Sequence, residues 1–538
     1  MSVSSFLNLR KILLSAFISL VVLLPGNIFC KAAVSNNLPK ESFKTLPMAQ
    51  EKSVSTYVPS EACKDGGIAV TINYAAMPRY KEKGMPVAVV IPGYMQASGL
   101  RFTMHAAQQG FVEVRFAFPG GGLKKFHSGG SWDLRGVDSQ KALRDVILFA
   151  GGKSRDFKGR SLADLVESTV NYDNLGLVGW HDGFNIAVIT MVKYHENLSF
   201  IKWLASYESP VGALMLPSNL GTVKELNLNN HYRQGSSATG KIVIDYSKLA
   251  WQPDIFRNRT RRLKKKLATP KGVLFFDENE NRLFDELSEF ALNYAILPGY
   301  PRQIYAPELT SAMEHKEIFV RRVNVDDLSD EGFEELKEKH PEVIEILGSA
   351  KKPPKSTKKG DDKNVIEVEM WPETVARLNQ SEAFYKERDA SSYINRLAEL
   401  YPHLLVTIFA SRIDHFEQQV DHPHVALLYN LFLTSKLKWV RLNPERVYVG
   451  FTADMNLENF VSNKVRETID ASNIKSHLEP EGLIKDDAYM RAVICELADR
   501  VKNKDFSYPL EGVLESYMNE ALLKRQMELN AKSGEKEE

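Results

Sequence analysis

Asn174-Leu175-Gly176-Leu177-Val178-Gly179-Trp180-His181-Asp182-Gly183-Phe184-Asn185-Ile186-Ala187-Val188-Ile189-Thr190 decides the reading of this chain. A short apolar run, Leu175 to Val178, enters Gly179-Trp180-His181-Asp182-Gly183, and an apolar, helix-compatible segment leaves it. That layout predicts a strand that turns sharply into a helix. Such a turn crowds the backbone, so residues without Cβ fit beside it. Gly179 and Gly183 stand in those places, and the residue between them that is pushed out at the carboxyl end of the strand is His181.

The neighbouring sequence supplies partners for that strand. Gly67 to Tyr74 alternates and is rich in β-branched residues, as a strand should be. Pro86 to Ile91 is apolar throughout, the pattern of a strand buried on both faces, and it ends in Pro92-Gly93-Tyr94-Met95. Phe111 to Phe118 predicts another strand. Asp138 to Ala150 has helical spacing, with Ala142, Leu143, Val146, Ile147 and Ala150 on one face. Phe200 to Tyr207 predicts the strand after the turn. Strands alternating with helices imply an α/β fold: a mostly parallel central sheet flanked by helices.

From about residue 215 to 400 the alternation breaks. This stretch holds a basic helix near 254–267, a strand-like Gly272 to Phe276, an acidic segment from Asp326 to Glu335 and a solvated loop at 350–364. It reads as a large insertion or cap. Alternation resumes with a strand at Leu404 to Phe409, a helix from Pro423 to Leu433 and a last strand at Trp439 to Leu442. Amphipathic helices at 485–502 and 510–530 form a helical C-terminal extension. The expected organisation is therefore a signal peptide at 1–33, a tether at 34–60, a core in two parts at 61–214 and 401–460, the insertion at 215–400 and the extension at 461–538.

The order of these pieces resembles the α/β-hydrolase superfamily, closest to its peptidase-like and dienelactone-hydrolase-like esterase branches, over about residues 65–215 and 400–450. The bracketed turn resembles that family's nucleophile elbow, G-x-S-x-G, with His181 at the position of the serine. The resemblance implies that backbone amides at Gly93-Tyr94 and at Asp182 stand where the family binds an oxyanion. It further implies that Asp414, in the loop after the seventh core strand, stands where the family keeps its acid. The family's catalytic histidine follows the eighth strand, where this chain has Asn443 to Tyr448 and no His. A triad needs a nucleophilic oxygen or sulfur, an imidazole and a carboxylate, so two of its three positions depart from the pattern. The cluster His415, His422 and His424 beside Asp414 offers a substitute imidazole. Capping of a helix by Asp421, with packing of the histidines, accounts for the same residues without chemistry. Two functional classes follow: a hydrolase of ester or peptide bonds with a non-standard site, and a silent homologue that binds a ligand or protein partner.

Two stretches invite a metal reading. Asp277, Asn279, Asn281 and Asp285 place oxygen side chains at alternate positions, as in a calcium loop, but Arg282 and Ser288 stand where an EF-hand needs Gly and a bidentate Glu. A solvated acidic turn is the preferred reading of these residues. The His415–His424 cluster matches no zinc spacing. No cofactor is expected.

The 538 residues carry a net charge of +1, which gives no global field toward nucleic acid. The expected ligand is a small molecule or a peptide. Arg10 and Lys11, then an uncharged apolar stretch from Ile12 to Leu24, then Pro25-Gly26 and Cys30-Lys31-Ala32, form an export signal. Its apolar core is shorter than the roughly 20 residues of a spanning helix. The expected location is periplasmic or extracellular, with an uncleaved membrane anchor as the alternative. In such a compartment Cys63 and Cys495 pair in a disulfide or stay as two thiols; the sequence leaves both open.

Overall fold

The computed structural model describes residues 51–93, 97–101, 103–216, 220–222, 227–233, 235–253, 272–292, 300, 302–355, 364–409, 423–443 and 486–506. Tyr94, Asp414, His415 and His422, the predicted basic helix near 254–267 and the predicted helix at 510–530 lie outside them.

Eight strands form the central sheet: β1 (Glu51–Val58), β2 (Ile68–Ala75), β3 (Met85–Ile91), β4 (Val112–Phe116), β5 (Val170–Trp180), β6 (Ile201–Tyr207), β7 (Leu405–Phe409) and β8 (Trp439–Asn443). Their order is β1-β2-β4-β3-β5-β6-β7-β8. β2 runs antiparallel to both β1 and β4, and every other neighbouring pair is parallel. The helices that position the site are α1 (Val137–Ala150), α2 (Gly183–Lys193), α3 (Leu378–Arg388), α4 (Ile394–Leu400), α5 (Pro423–Thr434) and α6 (Asp486–Asn503).

The continuous apolar runs are continuous because both faces of the sheet are covered. In β3, Val87, Val89 and Ile91 enter one core cluster while Ala88 and Val90 enter the other. In β5, Leu175 and Leu177 point one way and Val178 and Trp180 the other. The first face is covered by the apolar stripe of α1, by Phe184, Ala187, Val188 and Met191 of α2, and by residues of α4 and α5. The second is covered by Met490, Val493, Ile494, Leu497 and Ala498 of α6. Burying a side chain of this kind contributes about 1.5–3 kcal/mol, so each stripe holds its helix on the sheet. α6 is also pinned by charge. Arg441 of β8 is buried and pairs with Glu496, which also takes Arg500 at 2.9 Å. Arg79 closes a pair with Asp499 at 2.7 Å.

Two expectations change. Residues 51–58, placed in the tether, form β1 and pair along their whole length with β2, Glu51 opposite Ala75 and Val58 opposite Ile68. The polar residues of this edge strand disguised it: one face is solvated, and charge on an edge strand deters further pairing. The end of the stretch assigned to the insertion also belongs to the core, because Ala390, Ile394, Leu397, Ala398 and Tyr401 pack in the same cluster as α2. The rest of that stretch contains two antiparallel ribbons, Leu249–Pro253 with Gly272–Phe276 and Val320–Asn324 with Val365–Glu369.

Cys63 and Cys495 are both buried, in different core clusters, and no disulfide joins them. Of the two states the sequence left open, the one without a bridge between them is present.

Candidate functional site

The predicted turn forms between β5 and α2. β5 ends at Trp180 and α2 begins at Gly183, which leaves His181 and Asp182 to reverse the chain. His181 has φ 46°, in the left-handed region that costs a residue with a Cβ about 1–3 kcal/mol. Its N–H donates to the Tyr207 carbonyl at 2.8 Å, and its carbonyl accepts from Phe184 N–H at 3.1 Å. Both bonds tie it to the neighbouring elements and hold the strained conformation.

The bracketing glycines are required by close approach. A Cβ on Gly179 would stand 2.5 Å from Phe184 Cα and 2.6 Å from its nitrogen. One on Gly183 would stand 2.6 Å from the Ile91 carbonyl and 2.7 Å from that of Pro92. The loop after β3 meets the turn from the other side, since a Cβ on Gly93 would lie 2.7 Å from the Trp180 carbonyl and 3.0 Å from His181 Cβ. The backbone exits of β3 and β5 are therefore in direct contact.

Arg135 joins them, and sequence reasoning did not find it. Its guanidinium Nη1 lies 2.9 Å from Asp182 Oδ2, and its Nη2 donates to the Pro92 carbonyl at 2.7 Å. Arg135 and Asp182 are both buried, and Arg135 itself has φ 63°. Burial pulls the Arg135 guanidinium below its usual proton affinity, and the Asp182 carboxylate opposes that pull. The preceding residues serve α1: Asp133 accepts the N–H groups of Asp138 at 2.8 Å and Ser139 at 3.2 Å, while Arg388 of α3 donates to the Asp133 and Leu134 carbonyls. No spacing in the sequence announces an arginine placed this way.

His181 is buried, at 1% exposure, and its ring meets the Tyr207 ring edge-on at 6.0 Å. Tyr207 stacks on Phe409 at 5.1 Å and lies 4.1 Å from the Trp180 ring. These aromatic side chains floor the carboxyl edge of the sheet, where ligands bind in open α/β folds. Behind the turn, Asn185 of α2 donates to the Pro210 carbonyl and accepts from Ala390 N–H, each at 2.8 Å. That fixes the loop after β6 to the core.

Of the predicted site residues, Gly93, Gly179, His181, Asp182 and Gly183 come together. His424 is fully buried at the second position of α5, among core residues. Asp277, Asn279, Asn281 and Asp285 lie beside the first ribbon, and their oxygens accept local donors. Asp277 takes the amides of Asn281 and Arg282, Asn279 that of Asn281, Asn281 that of Leu283, and Asp285 the Leu287 amide and the Ser288 hydroxyl. The turn is built from its own amides, and among the described residues no group of acidic, His or Cys side chains is arranged to hold a metal ion.

The second strand is reversed, the other neighbouring strands are parallel, and the turn lies at the exit of β5. The fold is α/β-hydrolase-like. No protein-family model and no curated protein matches the chain. Among solved structures it is similar to esterase Est22, at 10% identity over 31% of this chain and 46% of that one, with a TM-score of 0.23. It is similar to brefeldin A esterase, a bacterial homologue of human hormone-sensitive lipase, at 15% identity over 32% and 42%, TM-score 0.22. A hyperthermophilic esterase from Pyrobaculum calidifontis gives 14% identity over 34% and 50%, TM-score 0.23. The chain spans about half the length of the solved structures it matches, and the fold rests on the sheet order rather than on these likenesses.

Proposed function

We propose that this is an exported α/β-hydrolase-like protein whose turn at 179–183 takes an ester- or peptide-like ligand without forming a covalent serine intermediate. The observation that carries the reading is His181 at φ 46°, held at the carboxyl edge of the sheet between Gly179 and Gly183. The scaffold presents a residue there at a cost in backbone strain, and that residue has no hydroxyl or thiol to acylate. Amides at Gly93 and Asp182 would receive a ligand's carbonyl oxygen.

A second reading, hydrolysis with the imidazole as general base on water, is favoured by the chemistry of histidine itself, which titrates near neutral pH. A panel of chromogenic esters and peptide amides, run on the wild type and His181→Ala, separates the two. The binding reading expects no turnover above buffer in either protein. Turnover in the wild type that is lost in His181→Ala overturns it in favour of the second.

Export rests on the residues of the amino-terminal segment. Intact mass of the protein recovered from its native host should lack residues 1 to about 32. The full amino terminus in the membrane fraction would refute cleavage.

A further inference from the structure

Leu134 and Arg135 are consecutive and both left-handed, at φ 57° and 63°. Strain of this kind persists only where the surroundings over-determine it. Here three successive carbonyls are held. Arg388, the last residue of α3, donates through Nε to the Leu134 carbonyl at 2.8 Å and through Nη2 to that of Asp133 at 3.0 Å. These are the peptide units on either side of Leu134. The side-chain amide of Gln140, in α1, donates to the Arg135 carbonyl at 3.3 Å and, with the same nitrogen, to the Glu387 carbonyl at 2.8 Å. The Arg388 side chain is 10% exposed and lies over the Phe384 ring, 4.3 Å from its centre. The next residues grip the other side of the site. Asp389 accepts Gly212 N–H at 2.8 Å, in the loop after β6, and Ala390 N–H donates to Asn185 of α2.

The opposite end of α3 is fixed in the insertion. Leu378 N–H donates to Glu314 at 3.0 Å, and the Ser381 hydroxyl donates to the Tyr305 carbonyl at 2.6 Å. Phe384 and Tyr385 share a core cluster with Ile304 and Ala306 of the insertion and with Leu134. At 1.5 Å per residue the helix is a rod about 16 Å long, with the insertion at one end and the loops of the site at the other.

We infer that Arg388 is a positioning residue of the candidate site: by fixing the left-handed Leu134–Arg135 pair it sets the Arg135 guanidinium against Asp182 and Pro92, and α3 thereby couples the insertion to the turn that carries His181. The coupling is reciprocal, so a ligand that moves the turn biases α3, and one that moves α3 biases the turn. That the turn is the ligand site rests on the proposed function; the coupling itself is read without ligand or turnover.

The test is the backbone amide signal of His181 by NMR, on full-length protein labelled with 15N-histidine, assigned by its loss in His181→Ala. That N–H donates to the Tyr207 carbonyl at the turn, so the position of its signal reports the geometry there rather than the stability of the fold. Arg388→Met keeps the length and removes the donors; it should displace the signal by more than its linewidth. Arg388→Lys keeps the charge and loses the planar fork; it should displace the signal in the same direction by less. Arg396→Met, at an exposed pair with Glu399 on α4, should leave the signal in place. Added to Arg135→Leu, Arg388→Met should cause no further displacement, because residues acting through one network are not additive. A signal unmoved by Arg388→Met, moved as far by Arg396→Met, or moved by the sum of the two displacements in Arg135→Leu with Arg388→Met overturns the coupling. Should Arg388→Met not fold, Arg388→Lys against Arg396→Met decides: displacement by the first alone supports the coupling, and no displacement contradicts it. The ester panel succeeds or fails independently of this signal.

Discussion

Arg135 and Asp182 form a buried ion pair, Nη1 to Oδ2 at 2.9 Å, beneath the turn that carries His181. The same guanidinium holds the Pro92 carbonyl at 2.7 Å. One side chain therefore sets the exits of β3 and β5 relative to each other. Removing the cation leaves a buried carboxylate without it, which costs about 3–5 kcal/mol. Arg135→Leu should lower stability to urea by that order, and Arg135→Leu with Asp182→Asn should recover part of the loss. Equal midpoints for the wild type and Arg135→Leu would show that the pair does not set the turn.

Gly179→Ala and Gly183→Ala should each destabilise the protein by about 1–3 kcal/mol, the usual cost of overpacking. The clashes are with backbone, at Phe184 and at the Ile91 and Pro92 carbonyls, which cannot swing aside as a side chain would. Thermal or urea unfolding of the two variants checks this. Wild-type stability in both would mean that the exits of β3 and β5 are farther apart than described.

The runs of sequence that face two cores were legible. Pro86 to Ile91, Leu175 to Val178 and Leu404 to Phe409 have no polar side to display, and each appears as a central strand; the first and third match within one residue, while the second starts five residues earlier, at Val170. Gly179 and Gly183 were legible because a tight strand-to-helix turn needs small residues. β1 was not, since an edge strand with one wet face looks like linker. Arg135 was not, because its role arises from contacts between elements distant in sequence. A single Arg in a loop carries no periodicity.

The two thiols give a chemical check on the core. Burial, and then the carboxylates of Asp145, Asp138 and Asp133, push the Cys63 thiol up to about 12. At pH 8 the reactive thiolate is then roughly one part in ten thousand. Iodoacetamide should leave Cys63 unmodified in the native protein and alkylate both Cys63 and Cys495 after unfolding without a reductant. A Cys63–Cys495 linked peptide, or rapid native alkylation of Cys63, would contradict the described packing.

This hydrolase-like scaffold presents an imidazole, and no serine, at its strand-to-helix turn. Intact mass of the purified protein after incubation with a fluorophosphonate reads out whether any serine reacts. The predicted result is an unchanged mass, with no serine carrying the phosphonate. A stoichiometric adduct on any serine would overturn the non-covalent reading and place the reacting centre elsewhere in the chain.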